Sequence, residues 1–302
     1  MDDQGSSVLV TGGRGFFGRA VVKLLQDSGC EVVSLDVAPG VSSSAGRHEV
    51  ECDITDARQL QRVFEIELIG GIIHLAAILP TAAQRQPALA TEVNVQGSMH
   101  LLEMARRFGV RRFVFGSSFS VYGTCPPDQV VSEAERAAPE DLYGAAKLYV
   151  EQLGAAYRQH GLEFVSLRIG RVVGSGARSA SSAWRSQIFE CLANSDAAEV
   201  ILPYVGSERI LLVHVDDVAR MLVKLLRAAK PVHSVYNAAC ESVVVADLKR
   251  EVERLNPCVN VGLGESYASG NPRQLDWSRL REEFGFQVMP IFEQLRRAAG
   301  GS

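Results

Sequence analysis

A short β-branched run, Ser7 to Thr11 (SVLVT), meets the turn Gly12-Gly13-Arg14-Gly15-Phe16-Phe17-Gly18 and passes into an apolar-periodic segment, Phe16 to Ser28, that Gly29 closes. A second such run, Glu31 to Asp36 (EVVSLD), follows at once. Strand, glycine turn, helix and strand in that order make a βαβ unit, and a βαβ unit commits the chain to parallel strands joined by crossovers. Further runs at His48 to Asp53, Gly71 to Leu75, Arg112 to Gly116 and Glu163 to Ile169 alternate with helical patterns at Asp56 to Glu67, Thr91 to Phe108 and Asp141 to His160. The runs are continuously apolar rather than alternating, as strands covered on both faces are. The expectation is an α/β fold with a doubly wound parallel sheet.

Gly12, Gly15 and Gly18 recur every third residue. That spacing permits a tight turn, close backbone approach to a pyrophosphate, and close packing of helix on strand, with the helix N-terminus facing the anion. Asp36 ends the second strand about 20 residues further on, where a carboxylate accepts from adenosine ribose hydroxyls and repels a 2′-phosphate. The pattern predicts NAD in preference to NADP. Arg14, in the same loop, is either a solvated side chain or a phosphate ligand that would admit NADP. Asp53, in Cys52-Asp53-Ile54, either meets the adenine edge or caps the helix that follows.

After about Gly174 the alternation gives way to a Ser/Arg/Ala stretch (Ser175 to Ser182) and a helix through Trp184 to Leu192. A strand at Ile210 to Val215, a helix at Asp216 to Ala229, a strand at Val235 to Ala238 and a helix at Val245 to Leu255 follow. A Gly/Ser/Asn-rich loop, Gly262 to Pro272, leads to a final helical pair. With no linker, repeat or low-complexity block, residues 1–175 are read as an NAD-binding domain of Rossmann type. Residues 176–302 are read as a smaller α/β substrate lobe with segments that interleave with the first domain.

Charge narrows the partners. The 31 Lys and Arg are spread against 35 Asp and Glu, net −4, with no basic stripe, so nucleic acid is not expected. The six cysteines, Cys30, Cys52, Cys125, Cys191, Cys240 and Cys258, never pair closely and the six histidines are as dispersed, so neither a metal site nor a disulfide framework is expected. The polar N-terminus is unlike a signal peptide, and no apolar stretch approaches the ~20 residues of a bilayer span. These features predict a cytoplasmic protein with a small-molecule substrate and no membrane partner.

In Asp141-Leu142-Tyr143-Gly144-Ala145-Ala146-Lys147, Tyr143 and Lys147 stand four apart on one face of a predicted helix. A phenol of pKa ~10 is a weak base at neutral pH, but a neighbouring ammonium and an oxidised nicotinamide favour the phenolate, so Tyr143 can take a hydroxyl proton as hydride leaves. Alone, the pair also reads as a packed tyrosine beside an exposed lysine. The run Ser117-Ser118-Phe119-Ser120-Val121-Tyr122-Gly123 follows the strand Arg112 to Gly116, at the strand end where parallel sheets bind ligands. Ser118 can hold the reacting oxygen against Tyr143 and stabilise charge on it, or belong to a plain serine-rich turn. The glycine loop, Asp36 and the Tyr/Lys pair, in order in one chain, favour the catalytic reading.

At this point the chain resembles a known family. The runs TGGRGFFG at Thr11 to Gly18, HLAA at His74 to Ala77, VNVQGS at Val93 to Ser98, SSFSVYG at Ser117 to Gly123, YGAAK at Tyr143 to Lys147, the pair Leu167-Arg168 and HVDDVA at His214 to Ala219 look like the extended short-chain dehydrogenase/reductase family, in its NAD-dependent epimerase/dehydratase group. Weaker similarity continues through Val235-Tyr236-Asn237 and from Pro272-Arg273 to Gly285-Phe286. The resemblance implies that Gly12, Gly15, Phe16, Phe17, Gly18 and Asp36 hold NAD, that Asp53 and Ile54 lie near the adenine, and that Leu75, Ala76 and Ala77 line the cofactor path. It implies that Lys147 contacts the nicotinamide ribose while lowering the Tyr143 pKa, with Ser118 as the third catalytic residue. Asn94 matches a cofactor-side position, or is a buried amide that stabilises its helix. His74 and His214 are expected to be structural.

Members of this family use one hydride step for several outcomes. An epimerase returns the hydride to the other face of the ketone; a dehydrogenase releases reduced cofactor. Dehydration is disfavoured, because related dehydratases resemble a pattern with Asp and Glu directly after the Ser118 position, where this chain has Phe119 and Ser120. A nucleotide-sugar epimerase is the leading expectation. It draws on Arg273, which matches a region where the family often places a diphosphate-binding arginine, with Arg178 and Arg185 as further anion ligands and Trp184 as a pocket wall. Each arginine is otherwise a solvated or salt-bridged surface residue, and Trp184 otherwise core. Against this reading, many such epimerases carry an Asn where this chain has Arg171, and an Arg where it has Ile210, with Arg209 one position off. The alternatives are a net NAD-dependent dehydrogenase or ketoreductase of a free sugar, sugar acid or other hydroxy compound, and a non-catalytic NAD-binding protein, which Tyr143 and Lys147 weigh against. The family often dimerises through two long helices, here Thr91 to Phe108 and Asp141 to His160, so a homodimer is expected.

Overall fold

The structure is a computed structural model that describes residues 6–38, 47–177, 182–193, 197–268 and 270–300. The first half runs β1 (Ser7–Thr11), α1 (Phe16–Asp27), β2 (Val32–Asp36), β3 (Arg47–Glu51), α2 (Ala57–Ile66), β4 (Ile69–His74), α3 (Pro80–Arg85) and α4 (Pro87–Thr91). A π-helical segment, Glu92–Gly97, then leads into α5 (Ser98–Arg107), β5 (Arg112–Ser118), β6 (Val130–Val131), α6 (Leu142–Tyr157) and β7 (Glu163–Ile169). The remainder comprises β8 (Arg171–Val173), α7 (Trp184–Ala193), β9 (Ala198–Tyr204), β10 (Arg209–His214), α8 (Val215–Arg227), β11 (Val235–Asn237), β12 (Glu241–Val244), α9 (Val245–Leu255), β13 (Val259–Ser266), β14 (Gln274–Leu275), α10 (Ser278–Phe284) and α11 (Ile291–Ala298).

Seven strands form one parallel, Rossmann-like sheet in the order β11-β7-β5-β4-β1-β2-β3. Alternate residues of each strand serve opposite helix layers. Val8, Val10, Ile73, Val114 and Val165 pack with Val21 and Leu25 of α1 and Leu222 of α8; Leu9, Val33, Ile72, Phe113 and Phe164 pack with Leu60 of α2, Leu101 of α5 and Val150 of α6. Two covered faces are why these strands read as unbroken apolar runs, and each such side chain contributes about 1.5–3 kcal/mol by burial. At the amino end of β5 the fully buried Arg112 donates to the carbonyls of Leu225 and Leu226 at 3.1 Å and to Glu163 Oε2 at 2.6 Å, satisfying groups that the last turn of α8 leaves open. Strand order reverses at β1, so the crevice beyond the carboxyl ends of β1 and β4 is the place where such a sheet takes a ligand.

Beyond β7 the chain builds a second core. Parallel β8 and β10 carry antiparallel β12, parallel β9 and β13 pair alongside, and Trp184, Ile188, Leu202, Ile210, Leu248 and Leu295 fill the space between them and α7, α9 and α11. No helix among the described residues is long and apolar enough to cross a membrane.

Two sequence expectations are corrected here. The helix read over Thr91 to Phe108 is interrupted: α4 ends at Thr91, a π-turn follows, and α5 starts only at Ser98. Residues 262–266, read as loop, are the end of β13, which pairs with β9, a strand the periodicity did not reveal. Gly262, Gly264 and Ser266 have little strand preference of their own, and pairing with a distant partner overrides it.

Candidate active site

The glycine turn is shaped by close approach. Gly12 has φ +65°, and a Cβ there would lie 2.9 Å from the Ala76 nitrogen; a Cβ on Gly18 would collide with the Gly12 carbonyl oxygen. Gly15 is the N-cap of α1 and offers no side-chain cap, so N–H groups of the first turn, at Phe16 and Phe17, are left for an anion. The Phe16 and Phe17 rings, 5.7 Å apart, pack on the core, so these residues offer a ligand their backbone rather than their rings. This uncapped, Cβ-free cradle fits the pyrophosphate of a dinucleotide.

Asp36 closes β2, and its Oδ2 accepts the Arg14 N–H at 3.0 Å. The Arg14 guanidinium turns away to Glu49 of β3, at 2.9 Å. The charge that would admit a 2′-phosphate is therefore already paired. Asp53 does not cap α2; Asp56 does, accepting from the N–H groups of Arg58 and Gln59 at 2.9 and 3.1 Å, while Asp53 holds the Thr55 N–H and hydroxyl at 2.9 and 2.8 Å. Ile54 is buried, 3% exposed.

Leu75, Ala76 and Ala77 follow β4 in a loop held from beneath. Thr11 Oγ1 accepts the N–H groups of Leu75 and Ala76 at 3.2 and 3.3 Å, which leaves its own proton for His74 Nδ1 at 2.6 Å. His74 Nε2–H then donates to Ser98 Oγ at 2.8 Å, and that hydroxyl to the Asn94 carbonyl at 2.7 Å. Full burial drives the His74 pKa down to about 3, so the ring is neutral and structural, as expected. The Asn94 amide accepts the Ile78 N–H at 2.7 Å and donates to the Ile78 carbonyl at 2.9 Å, which makes it a clamp on this loop. His214 caps α8, accepting the Asp216 N–H at 3.3 Å.

Ser118 is the last residue of β5. Its Oγ accepts the Ser120 N–H and donates to Ser120 Oγ, both at 3.1 Å, and Ser120 donates on to Asn271 Oδ1 at 3.3 Å. Asp141 caps α6 by accepting the Gly144 N–H at 2.6 Å, which sets Tyr143 in the first turn and Lys147 one turn on. A Cβ on Gly144 would lie 2.5 Å from the Ser120 carbonyl, so glycine lets α6 close on the turn that carries Ser118. Lys147 Nζ is buried, donates to the Gly116 carbonyl at 2.7 Å, and lies 5.5 Å from the Tyr143 ring centroid. Burial lowers Lys147 to about 7 and raises Tyr143 above the usual phenol range, with Asp141 adding to the rise. Lowering of the tyrosine pKa thus has to work against desolvation, and it depends on positive charge beside the ring.

One residue escaped the sequence reading. Glu151, a further turn along α6, makes a bidentate ion pair with Arg168 of β7 at 2.6 and 3.0 Å and accepts the Ser117 hydroxyl at 2.5 Å, all buried. The i, i+4, i+8 series Tyr143, Lys147, Glu151 carried that signal. The Arg168 guanidinium lies 4.7 Å from the Tyr122 ring centroid, and the Tyr122 hydroxyl donates to Asn237 at 2.7 Å, so the pair ties β5, α6, β7 and β11 together under the triplet.

The expected anion ligands differ in their surroundings. Arg273 is bound bidentately to Glu208 at 2.7 and 3.1 Å, and Glu208 is 3% exposed. Trp184 is 5% exposed and meets Tyr204 edge-on at 6.1 Å, so it belongs to the second core. The Arg185 guanidinium lies 5.8 Å from the Trp184 ring centroid. Arg178 lies outside the described residues. Among the described residues no group of His, Cys, Asp and Glu is arranged to hold a metal ion.

Comparison with known proteins matches residues 8–239 to the NAD dependent epimerase/dehydratase family. The UDP-glucose 4-epimerase of Erwinia amylovora is 35% identical over 182 residues, 56% of this chain and 54% of that protein. The chain thus spans about half the length of the curated relatives it matches with such identity. An L-threonine dehydrogenase of Cupriavidus necator superposes with a TM-score of 0.88 at 21% identity, covering 98% of this chain and 100% of that one. The UDP-glucose 4-epimerase of Thermus thermophilus, solved as a complex with NAD, superposes with a TM-score of 0.81 at 25% identity, covering 97% and 98%.

Proposed function

Because this chain belongs to the NAD-dependent epimerase/dehydratase family, we propose that it transfers hydride at a secondary carbinol held between Ser118 and Tyr143, as a net dehydrogenase of a small hydroxy compound. Gly12 to Gly18 and Asp36 would hold NAD, which when bound would supply the hydride acceptor for oxidation. Ser118 holds the reacting oxygen by hydrogen bonding. Tyr143 takes the hydroxyl proton, and the Lys147 ammonium one turn away favours the phenolate against the burial that opposes it. Glu151 and Arg168 keep α6 and the ends of β5 and β7 in register, which holds the three groups at reaction distance.

The observation that carries this reading is the Arg273–Glu208 pair. A nucleotide sugar needs local positive charge for its diphosphate, and Arg273, the arginine that reading draws on first, is already neutralised by a buried carboxylate. Epimerisation of a nucleotide sugar remains the second reading, favoured by the identity to UDP-glucose 4-epimerase over the shared segment. The test is a panel of UDP-, GDP- and dTDP-sugars, free sugar acids, polyols and L-threonine, incubated with the protein and NAD, with NADH absorbance and product stereochemistry both recorded. NADH formed in step with a free hydroxy compound supports the proposal. Inversion of a nucleotide sugar without net NADH overturns it.

On the same reading the enzyme works in the cytoplasm, which fits its unpaired cysteines, and forms a homodimer through α5 and α6, where Met99 and Tyr149 are exposed. A single species of monomer mass in sedimentation at micromolar concentration would count against the dimer.

A further inference from the structure

β5 and β7 lie side by side with Ser118 opposite Ile169, and both leave the sheet at the same end. Phe119 follows on one strand and Gly170-Arg171 on the other. Both Phe119 and Arg171 depart from the pattern of the related enzymes, Phe119 standing where dehydratases hold a carboxylate and Arg171 where many epimerases hold an amide. The two departures meet: the Arg171 guanidinium lies 5.3 Å from the Phe119 ring centroid and 5.6 Å from that of Tyr204. Arg171 is only 7% exposed, yet its guanidinium makes no hydrogen bond or ion pair with the described residues.

A second guanidinium shares this aromatic surround. Arg185 lies over Trp184, which abuts Tyr204, and its Nε is buried without a partner. Burial and the charge of Arg171 together bring Arg185 down to about 10, so the two charges feel each other. Among the described residues the buried Arg112 and Arg168 are answered by Glu163 and Glu151, and the half-buried Arg273 by Glu208. Two desolvated like charges without a carboxylate destabilise the empty fold, and an anionic ligand relieves that. Planar guanidinium groups match a carboxylate bidentately.

Resting on the dehydrogenase reading of the same site, we propose that Arg171 and Arg185 form the subsite for a carboxylate of the substrate, close to the carbinol carbon presented to Ser118 and Tyr143. Because Phe119 follows Ser118 directly and Arg171 packs on its ring, the subsite suits a hydroxy acid of few carbons.

Binding of non-reacting probes to the NAD-loaded 302-residue protein tests this without requiring turnover. Malonate, dimethyl malonate and inorganic phosphate are titrated by calorimetry into wild type, Arg171→Gln, Arg185→Gln and Arg171→Lys. The expected result is that malonate binds wild type, dimethyl malonate does not, and each glutamine variant binds malonate at least about tenfold more weakly. Arg171→Lys, which keeps a charge but not the planar fork, recovers part of the affinity, and retained NAD binding with a melting temperature no lower than that of wild type shows that the variants are folded. If a glutamine variant melts lower, the lysine variant carries the comparison. Malonate affinity equal in wild type and both glutamine variants, no malonate binding to wild type, or tight phosphate binding without malonate binding each overturns the carboxylate subsite. Failure of the catalytic reading shows separately, as a Tyr143→Phe enzyme with undiminished turnover while the malonate results stand.

Discussion

Replacing Arg273 with methionine separates the two roles open to this arginine. Its side chain is 25% exposed, while the Glu208 carboxylate it grips at 2.7 and 3.1 Å is 2% exposed. Removing the arginine therefore leaves a nearly fully buried charge without a partner, a change that typically costs about 3–5 kcal/mol. With an unfolding entropy of about 2.1 cal/mol/K per residue, 302 residues give roughly 0.6 kcal/mol/K, so the melting temperature falls by about 5–8 °C. The converse change, Glu208→Gln, leaves a guanidinium that water still reaches and costs less, about 1–2 kcal/mol. The double variant Arg273→Met/Glu208→Leu removes both charges and recovers most of the loss. Thermal unfolding followed by circular dichroism near neutral pH reads all of these, alongside kcat/KM on the substrate that the panel identifies. The reasoning is refuted if Arg273→Met melts within about a degree of wild type yet loses turnover on a nucleotide sugar, because the arginine is then a substrate ligand rather than the counter-charge of Glu208.

Tyr143→Phe is expected to lower turnover by about 10²- to 10⁴-fold while NAD binding and melting temperature hold, since only the proton acceptor is removed; fluorescence titration and calorimetry check both halves. Burial draws Lys147 down to about 7, so its positive charge is present below that pH and is lost as the pH rises through it; Lys147→Met is expected to remove this titration from the pH dependence of kcat. Glu49→Gln frees the Arg14 guanidinium, and the ratio of kcat/KM for NADP over NAD should rise about tenfold or more; an unchanged ratio would show that Asp36 alone sets the preference. His74 has its pKa depressed to about 3 in the folded protein against an ordinary 6.5. Between those values the unfolded chain binds the extra proton, so the His74 contribution is fully present above about pH 6.5 and falls by about 1.4 kcal/mol per pH unit on acidification, which urea unfolding at pH 7 and pH 5 will measure.

Much of this molecule was legible before any coordinates. The glycine spacing, the apolar runs and the i, i+4 step from Tyr143 to Lys147 are properties of segments a few residues long, and the backbone periods of strand and helix turn them directly into geometry. The interrupted helix before α5 was not legible, because the Asn94 amide that clamps Ile78 draws on a loop 16 residues upstream. Nor was β9, whose partner β13 looks like loop when read alone.

By itself, the sequence determined the parallel sheet, its dinucleotide turn, the placing of Ser118 at the carboxyl end of a central strand, and the spacing of Tyr143 and Lys147 one turn apart on a helix. All of these follow from local spacing and from the order of elements along the chain. Which charges meet was decided only by tertiary structure. Arg273 reaches its carboxylate across 65 residues, Glu151 answers Arg168 from a neighbouring element, and Arg171 and Arg185 share aromatic neighbours with no carboxylate paired to either among the described residues. An arginine in a sequence is a charge of unknown environment. Only packing sets whether water, a carboxylate or an aromatic ring surrounds it, and that environment separates a structural ion pair from a site left open for an anion.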